Sequence, residues 1–319
     1  MPIHDSDWSL QFFEGVPCPE DVHIAASDPE AWAFNPRHNW VYDKLAVAAS
    51  QGIRAAPHGV VPSAFPVFSK PITNLYGMGA ESRVIADAAA YDRSYRPGHM
   101  WMELLAGEHV SSDVAVLDGQ PVWWRHATGV PAGSGMFDYW TIHAEPFAAI
   151  EDYCGRWIGH HLAGYSGMVN LETIGARIIE LHLRFTDQWP DIYGGRAWVE
   201  ALVGLYAAGR WSFADRDRRT GYSVALFGPP ADGYRHPRPA LTAELLALPG
   251  VTSLQATFHE GLAADGHSNP PGGFRLAVLN GYDLPTLFDI RRRLAAFHGL
   301  ARPLNDTAAA PLTLPLPIA

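Results

Sequence analysis

The chain has 319 residues, of which 48% are hydrophobic and 18% charged, and its formal net charge is -10. This composition suits a folded protein of two or three subdomains rather than a disordered chain, and the negative balance argues against a nucleic-acid partner, since Arg291-Arg292-Arg293 is the one basic cluster in the sequence. The two cysteines, Cys18 and Cys154, make no disulfide framework and fit a reducing compartment; the start MPIHDSDWSL lacks the pattern of a signal peptide, and no apolar run is long enough for a membrane span.

Pro17, Pro19, Pro29 and Pro36 interrupt residues 1–38, where only 21–25 reads as a weak strand. Asn39 reads as the N-cap of a helix over 40–50, ended by Gly52. Short strands are expected at 60–61 and 65–69. Lys70 follows, then the loop PITNLYGMGAES, where Gly77 and Gly79 allow backbone amides to approach an anion closely. The loop is not a P-loop, because the Gly-Lys-Ser/Thr ending is missing and the lysine precedes the glycines; a Gly-rich turn between two strands is the commoner explanation. Strands are expected at 99–105, 110–117 and 121–125, the last two joined at Asp118-Gly119. Residues 127–145 are small in their first half and read as a mobile loop over a site, with His143 in it. A helix is expected over 147–162. After the hairpin at 169–184, the pattern predicts a loop to 195, a helix over 196–208 and a strand over 223–227. A Pro- and Gly-rich linker over 228–239 then leads to a small unit with two helices, two strands and a surface tail.

The segment VNLETIGARIIELHLR, residues 169–184, reads as two strands joined at Gly175-Ala176. Glu180, His182 and Arg184 are spaced two apart and leave the second strand on one face. An acid, an imidazole and a guanidinium on one face form a candidate metal and phosphate site; an edge strand with a solvated face fits the same spacing.

Four segments in this order resemble the ATP-grasp superfamily. Asp43-Lys44-Leu45 with Gly52-Ile53 and Pro57 is similar to the family's DKL and GIP-P segment. Phe65 to Pro71 is similar to the FPVVVKP strand. Met102-Glu103-Leu104-Leu105-Ala106-Gly107-Glu108-His109 is similar to the acidic hinge that follows it. Ile179-Glu180-Leu181-His182-Leu183-Arg184 is similar to the (I/L)E(I/V)N-x-R strand. The resemblance covers roughly residues 40–210, and the segment 273–294 resembles the small C-terminal unit of biotin-carboxylase and purine-synthesis relatives. It implies an α+β fold in which two α+β lobes hold a nucleotide between antiparallel sheets. The implied division is a short N-terminal segment 1–39, an ATP-grasp domain 40–227 with lobes at about 40–105 and 106–227, and a C-terminal α/β unit with its tail over 228–319.

The same resemblance implies the site. ATP is expected to meet Lys44, Lys70 and the loop at Gly77 and Gly79, with its adenine read by the main chain at Glu103, Leu104 and Leu105 and its ribose near Glu108 and His109. Mg2+, or Mn2+, is expected at Glu180 with His182, Glu172 or Asn170. Arg184 and Lys70 are the expected catalytic groups, and Arg125, Arg83 and Arg156 the candidates for anchoring an acidic substrate. His182 stands where the family has Asn, and imidazole suits softer metals than magnesium. A two-residue turn at Gly175-Ala176 would turn Asn170 and Glu172 away from Glu180, whereas a three-residue loop would bring them onto its face. The implied activity is that of a cytoplasmic ligase that activates a carboxylate as an acylphosphate with release of ADP, for attack by an amine or similar nucleophile. Its partners would be small molecules, neither nucleic acid nor membrane, and a homodimer is compatible with this reading. The alternatives are a phosphotransferase on the same fold and a non-catalytic nucleotide-binding protein.

Overall fold

The computed structural model describes residues 3–4, 8–77, 79 and 81–307. The expected surface tail lies outside the described residues from 308 onward. Among the described residues, no helix is long and apolar enough to cross a membrane.

The N-terminal segment is more ordered than its prolines suggest. A parallel pair, β1 (Ile3–His4) and β2 (Ile24–Ala25), precedes helix α1 (Asp28–Phe34). Pro29 does not break this helix but sits in its first turn, where its missing N–H costs nothing. Ser27 Oγ donates to the Glu30 carboxylate at 2.9 Å, the spacing of a capping box. The helix expected from Trp40 begins later, as α2 (Lys44–Ser50), after a short 3-10 turn over Asn39–Tyr42. Its cap is Asp43, whose Oδ1 accepts from the amides of Leu45 and Ala46 at 2.9 and 3.0 Å.

The small lobe is an antiparallel four-stranded sheet in the order β3 (Ala55–Pro57), β6 (His99–Glu103), β4 (Val67–Pro71), β5 (Arg83–Ile85), with helix α3 (Ala88–Arg93) following β5. No strand forms at Val60-Val61, which are exposed beyond the end of β3.

The large sheet has eight antiparallel strands. It contains β7 (His109–Leu117), β8 (Gln120–Gly133), β9 (Met136–His143), β10 (Gly167–Ile174), β11 (Arg177–His182), β12 (Gly221–Gly228), β13 (Val251–Ala256) and β14 (Phe274–Gly281), in the order β11-β10-β7-β8-β9-β12-β14-β13. Strands from both sides of position 228 thus share one sheet. Helix α4 (Ala148–His161) covers one face through Ile150, Cys154, Trp157 and Ile158. The other face is covered toward one end by α5 (Pro190–Tyr193), α6 (Arg196–Ala208) and the N-terminal segment, in an aromatic core that includes Phe13, Phe185, Trp189 and Trp198. Helices α7 (Pro239–Leu246) and α8 (Leu284–Phe297) pack on the C-terminal strands.

Residues 127–145 are not a lid. They complete β8 and form β9, two inner strands of the sheet. Their small residues serve packing: a Cβ on Gly129 would lie 2.4 Å from the Phe137 ring. Ser134 and Gly135 make the turn, both with positive φ. His143 is consequently held in the sheet, against Thr128 Oγ1 at 2.8 Å.

The hinge after β6 meets the β10–β11 turn backbone to backbone. A Cβ on Gly107 would fall 2.6 Å from Gly175 Cα, and one on Gly175 would fall 2.4 Å from the Ala106 oxygen. Gly107→Ala and Gly175→Ala are therefore expected to cost more than Gly209→Ala, which carries only the left-handed backbone penalty of about 1–2 kcal/mol in open space. Urea denaturation of the three variants checks this, and equal losses would contradict the close approach.

Candidate functional site

The site begins with one extra residue. The turn at Gly175-Ala176 has two residues, both with positive φ (55° and 63°), so Ile174 pairs with Arg177 and Thr173 with Ile178. An uninterrupted ladder would then oppose Leu171 and Glu180. Instead the register shifts, and Glu172 pairs with Glu180, Leu171 with Leu181 and Asn170 with His182. Ile179 is the bulged residue. The two-residue turn and the shared face thus coexist: Asn170, Glu172, Glu180 and His182 all leave on one side. Pairing of β10 with β7 adds His109, Ser111 and Asp113 to the same face.

The small lobe reads this bulge directly. Lys70 Nζ donates to the Ile179 carbonyl at 2.6 Å, and Gln51 bonds both the N–H and the C=O of Ile178, at 2.9 and 2.8 Å. Lys44 Nζ lies 2.9 Å from Glu180 Oε1. Lys44 and Lys70 are only 5% and 4% exposed, while Glu180 and Glu172 keep 22% and 31%. Burial pushes the Lys70 ammonium down to about 8, with Lys44 acting in the same direction and Glu180 and Glu172 opposing.

His109 Nε2 is 3.1 Å from Glu172 Oε2. Burial disfavours both charges, but each group's hydrogen bond and charge outweigh it for the other. The His109 imidazole is shifted upward, and the Glu172 carboxyl is lowered to about 2. His109 Nδ1 is buried without a hydrogen-bond partner, and the ring lies 6.3 Å from those of Phe137 and Trp140.

At the end of β11 stands an acid that the sequence reading passed over. Asp28, from α1, accepts from Arg184 Nε at 2.9 Å and Nη2 at 3.1 Å, and from Tyr42 Oη at 3.2 Å, and its Oδ1 is 3.0 Å from His182 Nδ1. Burial opposes its ionisation, yet Arg184 and His182 hold its carboxyl well below the usual range. Arg184 Nη1 donates to the Phe185 carbonyl at 3.2 Å, so every nitrogen of this guanidinium already has an acceptor. His182 Nε2 is 3.8 Å from Glu180 Oε1. The Ser27-Asp28-Pro29-Glu30 run was the available signal for α1, but nothing in it points to β11.

The architecture matches known enzymes. The L-amino acid ligase of Bacillus licheniformis superposes with a TM-score of 0.57 at 13% identity, covering 91% of this chain and 82% of that one. Carboxyaminoimidazole ribonucleotide synthase from Aspergillus clavatus, complexed with ATP, gives 0.59 at 11% identity and covers 86% and 82%. Phosphoribosylamine–glycine ligase from Thermotoga maritima gives 0.57 at 14%, covering 92% and 86%. The chain has the ATP-grasp fold. No protein-family model and no curated protein sequence matches it.

On this ATP-grasp frame the expected site residues divide. Lys44, Lys70, Glu172, Glu180, His182 and His109 converge at the seam between the lobes. Met100, Met102, Phe68, Leu105 and Ile179 pack beside them. Glu103 donates its amide to the Arg54 carbonyl at 2.8 Å and binds Arg54 through its side chain, leaving Leu104 and Leu105 as the hinge amides outside the β-ladder. A cavity of about 210 Å³ beside the hinge is lined by Pro66 and by Val67, Trp101 and Glu103, the last three on the face of the small sheet away from Lys70. Glu108 is exposed, and its carbonyl accepts from Gly175. Gly77 and Gly79 hold left-handed backbone with open space at Cβ.

Asn170 turns toward the interior of the sheet face, its Nδ2 donating to Asp113 Oδ1 at 2.8 Å and to Ser111 and Thr186 hydroxyls. Arg125 is fully buried, bound to Asp215 and to the Arg219 carbonyl, so it cannot anchor a substrate without giving up these partners. Arg83 Nη2 donates to the Ser94 carbonyl in the small lobe, and Arg156 pairs with Asp152 on the exposed side of α4. Neither reaches the seam.

The paired shifts of His109 and Glu172 set a pH window. Glu172 contributes stability above its ordinary value of 4.5, and this is lost as pH falls toward about 2. His109 contributes fully below its ordinary 6.5, and this is lost as pH rises through its raised value. The melting-temperature difference between the native chain and His109→Gln should therefore be largest between these ordinary values and shrink on both sides. A difference independent of pH would contradict the charged pair.

Proposed function

We propose that the protein is an ATP-dependent ligase that activates a carboxylate as an acylphosphate, releases ADP and passes the acyl group to an amine or similar nucleophile. The observation that carries this reading is the meeting of Lys44 and Lys70 with Glu172 and Glu180 at the seam. The names of the superposed enzymes, two ligases and a synthase complexed with ATP, support it.

Phosphoryl transfer needs charge neutralisation and in-line placement more than covalent help. In the reading proposed, phosphate oxygens replace Glu180 and the Ile179 carbonyl as acceptors for Lys44 and Lys70. Glu172 and Glu180 would hold magnesium. They fit it, being oxygen donors opposite one another, and magnesium needs only one or two protein carboxylates beside phosphates. Among the described residues no group of three or more His, Cys, Asp or Glu is arranged to hold a metal ion. When bound, magnesium neutralises phosphate charge. His182, tied to Asp28, serves as a fixed neighbour of Glu180, and Arg184 joins only by exchanging a bond to Asp28 for one to a phosphate oxygen. A substrate carboxylate oxygen attacks the γ-phosphorus as the bridge to ADP breaks. The amine then attacks the acyl carbon, phosphate leaves and the nitrogen gives up a proton. The partners on this reading are small molecules.

Calorimetric titration should show ATP binding that Lys70→Ala weakens by at least about 1.5 kcal/mol, the scale of a charged hydrogen bond. ADP release should require an acid and speed up with an amine, and Glu180→Gln should abolish it in a variant still folded by circular dichroism. Because Glu180→Gln leaves the buried Lys44 without its counter-charge, some loss of melting temperature is expected with it. ADP release with a phosphorylated acceptor and no use for an amine would point to a phosphotransferase. ATP binding without turnover across a panel of acids would point to a non-catalytic nucleotide-binding protein.

A further inference from the structure

Buried arginines in this protein have carboxylate partners: Arg125 has Asp215, Arg184 has Asp28 and Arg291 has Asp138. Arg275 breaks the pattern. Its Nε, like those of Arg83, Arg125 and Arg291, is shut off from solvent without a hydrogen-bond partner, but unlike Arg125 and Arg291 it makes no ion pair among the described residues. Asp187 is the acid felt there among the described residues, at a distance, and it accepts from Ser9 Oγ at 3.4 Å. Burial correspondingly lowers the Arg275 pKa. The residue as a whole is only half-buried.

The direction of Arg275 comes from a bulge. On β14, Ala277 pairs with Leu226 and Arg275 with Phe227, so Leu276 is the extra residue and packs with Ala277 into the core under α8. Arg275 is thereby turned to the opposite face, shared with Asn280 and, across the register of the sheet, with Asp113, Glu172 and Glu180. Its backbone is clamped on both sides: the Arg275 amide donates to Asn269 Oδ1 and the Arg275 carbonyl accepts from Thr257 Oγ1, each at 2.8 Å. A partly desolvated guanidinium without a carboxylate partner carries a cost, and bulges recur where a side chain must be re-aimed. β14 stands four strands from β7, roughly 19 Å along the sheet at about 4.8 Å per strand, which separates Arg275 from any phosphate held at Lys70.

We propose that Arg275 is the anchor of an anion site on this face, and that the acceptor substrate of the ligase carries a carboxylate or phosphate that the guanidinium fork takes. That the anion belongs to the acceptor rests on the ligase reading; the anion site does not. The fork offers parallel N–H donors to either group.

Arg275→Gln and Arg275→Lys in the full chain test this, with inorganic phosphate and succinate as calorimetric probes. The native chain should bind at least one probe, Arg275→Gln should weaken it tenfold or more, and Arg275→Lys should fall between. Lys70→Ala should keep the binding, which separates this site from the lobe seam. Stronger binding of phosphate assigns a phosphate monoester acceptor, and stronger binding of succinate a carboxylate. Without either anion, Arg275→Gln should melt at or above the native temperature, because it removes an unpaired charge. No binding by the native chain, equal binding by Arg275→Gln, or a marked fall in its melting temperature or failure to fold would overturn the proposal, the last because it would show a structural arginine. ATP affinity of Arg275→Gln should be unchanged; failure of the native chain to bind ATP while an Arg275-dependent probe still binds would sink the ligase reading alone.

Discussion

The extra residue at Ile179 decides what the polar face of the large sheet presents. Side chains alternate across a strand, so without this one residue Glu180 and His182 would leave on the face opposite to Glu172. With the bulge, Glu172 opposes Glu180 on the side facing the small lobe's lysines, and Leu171 with Leu181 stays in the apolar layer under α4. The bulge also frees a carbonyl at an edge strand, and Lys70 takes it. A single irregularity thus aligns the acids, orients a lysine and joins the two lobes.

Charge compensation explains the rest of the seam. Two lysines almost without exposure need acceptors, and Glu180 with the Ile179 carbonyl provides them. The Arg184 charge, at the end of the same strand, is met by Asp28 from a segment more than 150 residues earlier in the chain. Asp28 of the N-terminal segment, with Tyr42 just after it, fixes His182, Arg184 and the Leu183 amide together. The aromatic residues of the same stretch and of α6 close the far end of that face.

Much of the fold was legible in local pattern. The hairpin turn, the Phe65–Pro71 strand with its lysine, helix α6 and the paired C-terminal strands follow from alternation, periodicity and turn chemistry. The misreadings have particular causes. Pro29 reads as a breaker in isolation, but the first turn of a helix accepts it. The small residues of 127–135 looked mobile although Gly129 is small because Phe137 occupies its space. Arg125 looked available because sequence does not show the Asp215 that binds it.

The sequence by itself determined the 169–184 hairpin, the Phe65–Pro71 strand, helices α4 and α6 and the set of charged residues from which the site is built, because strand alternation, helical periodicity and turn preferences act over a few residues. Only the tertiary structure decided how that set is shared out. The register of Glu172 against Glu180 depends on a bulge selected by packing on both faces of the sheet. The engagement of Arg184 and His182 depends on where α1 docks, and the isolation of Arg275 depends on no acid pairing with it among the described residues. Each is a contact between segments distant in the chain, set by the free energy of burying charge and apolar surface together, which no local pattern records.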